Sequence, residues 1–186
     1  PVGSIMKSWI TQTGYPVVTV DAITRVGDKI RFQLRQERFF MDGSGNPTDV
    51  ALWIIPIVYG TQTRLMETRT ALIEFDFESA LGNKLNTDQY VPIRVQYPKN
   101  TVSTVIRWSI EDRVGYLSDT LSLCKAGKIP ISNYLEVLQM YRSESNGAVW
   151  QELGKSLTTM RQLLIDIPTP EHITFNIPSY YECFEP

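Results

Sequence analysis

The sequence predicts an antiparallel β-sandwich followed by helical hairpins, with β and α structure in separate parts of the chain. Three observations predict it. Up to about residue 98, short runs alternate apolar and polar side chains between clusters of Gly, Asp, Asn and Pro. Beyond Pro98 the apolar residues recur at three- and four-residue spacing. The 186 residues are 42% hydrophobic and 20% charged, which is ordinary globular usage and enough for a real core.

The elements follow in order. Ser4 to Gln12 reads as a short helix with Ile5, Met6, Trp9 and Ile10 on one side, ended by Gly14-Tyr15-Pro16. Val17 to Ile23 is β-branched and apolar, and Gly27-Asp28 is a turn. Lys29 to Phe39 alternates, with Ile30, Phe32 and Leu34 opposite Lys29, Arg31, Gln33 and Arg35. Asp42 to Pro47 reads as a hairpin-like loop. Ala51 to Tyr59 is nearly all apolar, as in a strand buried on both faces, and Pro56 marks a bulge or an edge. Ala71 to Glu78 and Gln89 to Tyr97 complete the strands.

Val102, Val105 and Ile106 then suggest a helical turn or two. Ser109-Ile110-Glu111-Asp112 fits a helix start, with Ser109 as N-cap and the acids at the positive end. Val114, Leu117, Leu121 and Cys124 line one face until Gly127. Pro130 and Ser132 open a second helix with Tyr134, Leu135, Leu138 and Tyr141 inward, broken at Asn146-Gly147. A third runs from about Ala148 to Leu164 through Val149, Leu153, Leu157 and Met160.

Composition excludes several function classes. Net charge is -2, so no broad basic field gathers phosphates and nucleic acid is not an expected partner. No apolar run approaches the roughly 18 residues of a membrane span. No targeting peptide is legible in residues 1–15. A chain that starts Pro1-Val2-Gly3 without Met reads as a piece of a longer polypeptide. The two cysteines, Cys124 and Cys183, form no disulfide framework, and reduced thiols point to a cytoplasmic setting. Asn46-Pro47-Thr48 carries proline in the middle position, so it is no glycosylation acceptor.

Residues with possible chemistry each have a plainer reading. Gly43-Ser44-Gly45 lacks the following helix that a phosphate loop needs, and reads as a turn. The single histidine, His172, has no partner at metal-ligand spacing and reads as an ordinary surface or packed residue. Cys124, on an apolar helix face, reads as a buried inert thiol, and Cys183 as surface tail. Glu74, Asp76 and Glu78 stand about 7 Å apart along one strand face, too far to share one cation. They read as a solvated face, or as partners of a Lys29/Arg31/Arg35 row across the sheet. Trp53, Tyr59, Trp108 and Trp150 read as core rather than as a ligand platform. No residue of this chain is expected to be catalytic, cofactor-binding or metal-binding.

A series of segments resembles the gluzincin zinc aminopeptidases of the puromycin-sensitive and aminopeptidase N type. Trp9 to Val20 resembles the segment leaving the catalytic domain. Leu34, Gln36, Arg38 and Phe39 resemble the L-x-Q-x-R-F strand, and Trp53-Ile54-Ile55-Pro56 the W-x-I-P strand. Arg94, Val95 and Tyr97 resemble G-x-Y-R-V-x-Y. Asp112-Arg113-Val114-Gly115 with Leu123-Cys124-Lys125-Ala126-Gly127 resembles D-R-x-G … L-x-x-A-G, and Val149 to Leu153 the next helical mark. The resemblance covers about residues 6–165. It departs where Asn86-Thr87-Asp88 replaces the usual Trp-x-x-x-Asn, where Val91-Pro92-Ile93 interrupts the strand, and after Ile167, where no mark is recognised.

The resemblance implies that residues 1–14 end a preceding catalytic domain. Residues 15–98 would form the sandwich, and 99–186 the first helices of an α-solenoid-like C-terminal domain. H-E-x-x-H and G-x-M-E-N are absent here, so zinc is expected in the parent enzyme and none in this chain. The chain alone is expected to be inactive, a bridge and hinge that shapes the peptide chamber. Its expected partners are the missing catalytic domain of the same polypeptide and the parent's peptide substrates, with self-association through newly exposed surface. The alternative is a naturally short interaction module, in which Trp9 and Ile10 are buried by the chain's own fold. An independent hydrolase built on His172 has little support.

Overall fold

A computed structural model describes residues 2–45, 48–79, 81–82, 84–99, 101–102 and 105–165. Helix α1 (Val2–Ile10) leads into strands β1 (Pro16–Val26), β2 (Lys29–Arg38), β3 (Ile55–Tyr59), β4 (Gln62–Met66), β5 (Thr70–Asp76) and β6 (Arg94–Gln96). Helices α2 (Ile110–Lys125), α3 (Ile131–Gln139) and α4 (Gly147–Ile165) follow. A four-stranded sheet, in the order β5-β2-β1-β6, faces a two-stranded sheet of β3 and β4. The β-then-α reading holds, with sheets that are mostly antiparallel. The exception is β6, which runs parallel to β1.

Between the sheets, Phe32, Tyr59 and Phe75 meet at ring distances of 5.3 to 6.2 Å, in tilted and edge-on geometry. Val18, Val20, Leu34, Trp53, Ile57 and Val95 belong to the same core. The inward phase of β1 changes along its length. Asp21 is the extra residue of a bulge between Val20 and Ala22, so Val18 and Val20 point inward before it and Ile23 after it. Val17, on the opposite side of β1, packs with Phe39 against Leu123 and Ala126. The start of β1 is therefore covered on both faces.

Several expectations need correcting. Gln89 to Tyr97 is not one strand: Thr87–Gln89 is a 3-10 turn and only Arg94–Gln96 pairs. Asn86, Asp88 and Gln89 all have positive φ, which breaks any ladder there. The Ala51 to Tyr59 strand is ladder-bonded only from Ile55, although Ala51 and Trp53 are buried. Its Pro56 does sit in a two-stranded sheet, where an edge tolerates it. The loop from Asp42 closes no hairpin, because β2 and β3 lie in different sheets. β4 has no counterpart among the expected strands, because its Gln62-Thr63-Arg64-Leu65 run is mostly exposed and carries little pattern.

Val102 and Val105 are buried without forming a helix. Met6 and Ile10 of α1 are exposed, as are Leu135 and Leu157, while Trp150 is 40% exposed rather than core. Leu164 lies in α4, but its side chain falls outside the described residues.

The helices form a second core in which Val105, Trp108, Tyr116, Leu117, Tyr134, Tyr141, Val149 and Leu153 are buried. Ser109 caps α2 as expected, its Oγ accepting the Asp112 N–H at 3.2 Å. Gly127, at φ +66°, ends α2.

Candidate functional site

Among the described residues, buried ion pairs gather at the border between sandwich and helices, and α2 forms it. Its buried residues include Asp112, Tyr116, Asp119 and Leu123, at helical spacing along one side, with Leu117 and Leu121 on another. Few faces of this helix meet water. Gly115 lets it come close to the sandwich, since a Cβ there would collide with the Gln89 side chain.

Charged pairs join across this border. Lys84 Nζ lies 2.9 Å from Asp112 Oδ1, with side chains 3% and 2% exposed. The same ammonium donates to the carbonyls of Leu85 and Asn86, the latter at 3.0 Å. Burial pulls Lys84 below its ordinary pKa, against the opposing pull of Asp112. Asn86 turns the chain at φ 55° and holds Val91 by two side-chain bonds of 2.9 and 3.0 Å.

Two turns further on, Arg94 Nη1 reaches Asp119 Oδ1 at 2.9 Å, and Asp119 Oδ2 accepts the Val95 N–H at 3.0 Å. Burial pushes Asp119 up to about 6, with the Val95 N–H and Arg94 opposing. Burial also lowers Arg94, but Asp119 and the Tyr15 hydroxyl outweigh it and hold the guanidinium above its ordinary value. Tyr97 Oη accepts the Leu85 N–H at 2.8 Å, and its ring stands edge-on to Tyr116. Trp108 Nε1 donates to the Leu81 carbonyl at 3.2 Å. Lys128, just past α2, pairs with Glu37 of β2 at 2.6 Å.

The other candidates resolve as follows. Arg31 pairs with Glu74 at 2.5 Å and Lys29 with Asp76, in the register of β2 and β5, so the cross-strand row exists. Arg35 instead pairs with Asp21 at 3.4 Å. Gly43 belongs to a turn, and a Cβ on it would stand 2.7 Å from the Ala126 carbonyl oxygen. Cys124 is a free, half-buried thiol whose pKa burial raises to about 11, a poor nucleophile. Trp53, Tyr59 and Trp108 are core. His172 and Cys183 lie outside the described residues.

Among the described residues, no group of three or more His, Cys, Asp or Glu could hold a metal. No donor set among the described residues fits a zinc ion. No helix among the described residues is long and apolar enough to cross a membrane.

Sequence reasoning places Asp112, Arg94 and Asn86 in their segments but does not reveal the border network. The available signal is the acidic pair Asp112 and Asp119, seven residues apart and so on one side of the helix.

A sandwich is thus docked on a helical layer through α2. Residues 83–176, just over half of the chain, match the ERAP1-like C-terminal domain, and the chain belongs to that family. The match reaches past Ile167, into a tail whose residues carry no recognised mark of the family.

The chain is 31% identical over 168 residues to Tricorn protease-interacting factor F2 of Thermoplasma volcanium, covering 86% of this chain and 20% of that protein. Aminopeptidase M1-D of Oryza sativa subsp. japonica is 29% identical over 194 residues, covering 92% of this chain and 21% of that protein. Probable aminopeptidase 2 of Sulfurisphaera tokodaii is 31% identical over 165 residues, covering 84% and 20%. The chain thus spans about a fifth of the length of the curated relatives it matches.

Proposed function

We propose that this chain is a non-catalytic part of a zinc-dependent aminopeptidase that removes N-terminal residues from peptides. In this reading, residues 15–98 are the bridging sandwich and 99–186 the first helices of the C-terminal domain. Together they carry the catalytic domain on one side and shape the peptide chamber on the other. The observation that carries the reading is α2, paired with the sandwich through Lys84–Asp112 and Arg94–Asp119. Such a joint holds two parts at a fixed angle. The similarity supports it, since it spans both parts of this chain and only a fifth of aminopeptidase relatives. Peptides, the upstream catalytic domain and a cytoplasmic setting belong to the same reading.

The test is direct. Pure chain, supplied with zinc, is offered a panel of aminoacyl fluorophores. No release is expected, and zinc-dependent release would sink the reading.

A second reading, a self-contained interaction module, draws on α1. Trp9 Nε1 donates to the Ile54 carbonyl at 3.1 Å and its ring packs 6.4 Å from Trp53, so this chain's own fold holds the helix. Ile10 and Val2, at 74% and 76% exposed, favour the first reading, because α1 then presents apolar residues to a missing neighbour. Self-association through that surface is the corresponding expectation for the isolated chain.

A further inference from the structure

Two adjacent residues on the first turn of α2 reach different neighbours. Asp112 meets Lys84 of the sandwich at 2.9 Å. Arg113 meets Glu144, between α3 and α4, at 3.0 Å, and Glu144 is 1% exposed. Tyr141 Oη donates to the Arg113 carbonyl at 2.8 Å, and Arg113 Nη1 donates to the Trp108 carbonyl at 3.1 Å. Glu144 in turn accepts the N–H groups of Ser145 and Asn146, just ahead of α4, at 2.9 and 2.8 Å.

Ionic contacts of this kind tolerate little displacement. A small displacement at either border would part the charges before water could reach them, which is strongly unfavourable. A hinge has the opposite character: loop or element-end residues with few buried contacts absorb the backbone change. The sandwich–helix border lacks that character, with Lys84, Asp112 and Asp119 buried along it, and Glu144 is buried at the border of α2 with α4. At the other end, Trp9 and Gln12 tie α1 to the carbonyls of Ile54 and Leu52.

We propose that Asp112 and Arg113 are positioning residues that join the sandwich and the first helical layer into one body, so that any opening and closing of a longer protein occurs outside residues 9–165. The second half of this statement rests on the proposed function, while the joined body does not.

Native-state hydrogen exchange of the whole chain, followed by mass spectrometry through a series of sub-denaturing urea concentrations, tests it. Amides of β1 and β2 and amides of α4 are expected to merge onto one opening curve, agreeing within about threefold. Loss of α4 protection at clearly lower urea, with exchange about tenfold faster than in β1 and β2, would overturn the proposal.

Asp112→Asn and Glu144→Gln extend the test across the border. Each is expected to speed exchange by about tenfold or more, equally in the sandwich and in α4. A merely local role would not carry the effect across, so an effect confined to one side also overturns the proposal. If either variant fails to fold, the urea series on the unaltered chain still decides. A native product of only 21.3 kDa would defeat the proposed function and leave the exchange result standing.

Discussion

Replacing Asp112 by Asn removes the carboxylate that faces Lys84 without changing its volume much. Lys84 keeps the Leu85 and Asn86 carbonyls, but it loses its counter-ion at a site only 3% exposed. Breaking one side of a buried pair costs about 3–5 kcal/mol. Deprotonation limits the loss. Neutralising a lysine of ordinary pKa ~10.4 costs about 4.6 kcal/mol at pH 7 and about 1.9 kcal/mol at pH 9. The expected penalty is therefore about 3–4 kcal/mol at pH 7, falling to about 2 kcal/mol at pH 9.

The sign follows from linkage. Burial already pulls Lys84 below its ordinary value, and losing Asp112 pulls it further. The folded variant then binds fewer protons than its unfolded chain, so its stability rises with pH. Urea denaturation followed by circular dichroism at both pH values measures this. A penalty below about 1 kcal/mol at pH 7, or one that does not shrink at pH 9, would refute the buried-pair account. The double replacement Lys84→Met with Asp112→Leu should recover most of the loss, because an apolar pair strands no charge.

Three further outcomes are expected. Gly43→Ala should destabilise by about 1–3 kcal/mol in urea melts, because φ is +71° and the new Cβ meets the Ala126 carbonyl; an unchanged midpoint would contradict that close approach. Asp119 has a folded pKa of about 6, above the unfolded ~3.9, so this group favours the fold below pH 4 and the advantage, up to about 3 kcal/mol, is lost as pH rises through 6. The stability difference between the unaltered chain and Asp119→Asn should accordingly grow in favour of the unaltered chain from pH 7 to pH 4.5, and a flat difference would be inconsistent with it. Trp9→Ala should cost about 2–4 kcal/mol and Ile10→Ala under about 0.5 kcal/mol, a contrast that thermal denaturation reads and that equal effects would contradict.

Much of the fold is legible where one face is wet and the other dry. β2 is the clearest case, since Ile30, Phe32 and Leu34 alternate with Lys29, Arg31 and Gln33 and the structure buries the first set. The Arg31–Glu74 pairing follows from the same period of two. Residue pattern fails where an element is covered on both sides. In α2 the apolar stripe through Leu117 and Leu121 is visible, but nothing in that pattern marks Asp112 and Asp119 as buried. They are buried because cations of the sandwich meet them, and a one-dimensional pattern does not reveal a distant partner.

The strand expected over Gln89 to Tyr97 fails for a different reason. Apolar Val91, Ile93 and Val95 keep a period of two, and all three are buried. The positive φ of Asn86, Asp88 and Gln89 nevertheless turns the backbone away from a ladder until Arg94. The bulge at Asp21 is hidden likewise, because its neighbours are apolar in either phase.

The candidate site is legible only as segments. The D-R-x-G resemblance marks Asp112, Arg113 and Gly115, and the structure gives each a physical role. Asp112 pairs with Lys84, Arg113 pairs with Glu144, and Gly115 permits the close approach beside Gln89. Their partners Lys84 and Glu144 lie outside the segments that carry the resemblance.

We propose that this chain is one part of a longer aminopeptidase. The size of the native product tests it most directly, by immunoblot of source material with an antibody raised against residues 99–165. The account predicts a band far above 21.3 kDa. A single band near 21.3 kDa would contradict it.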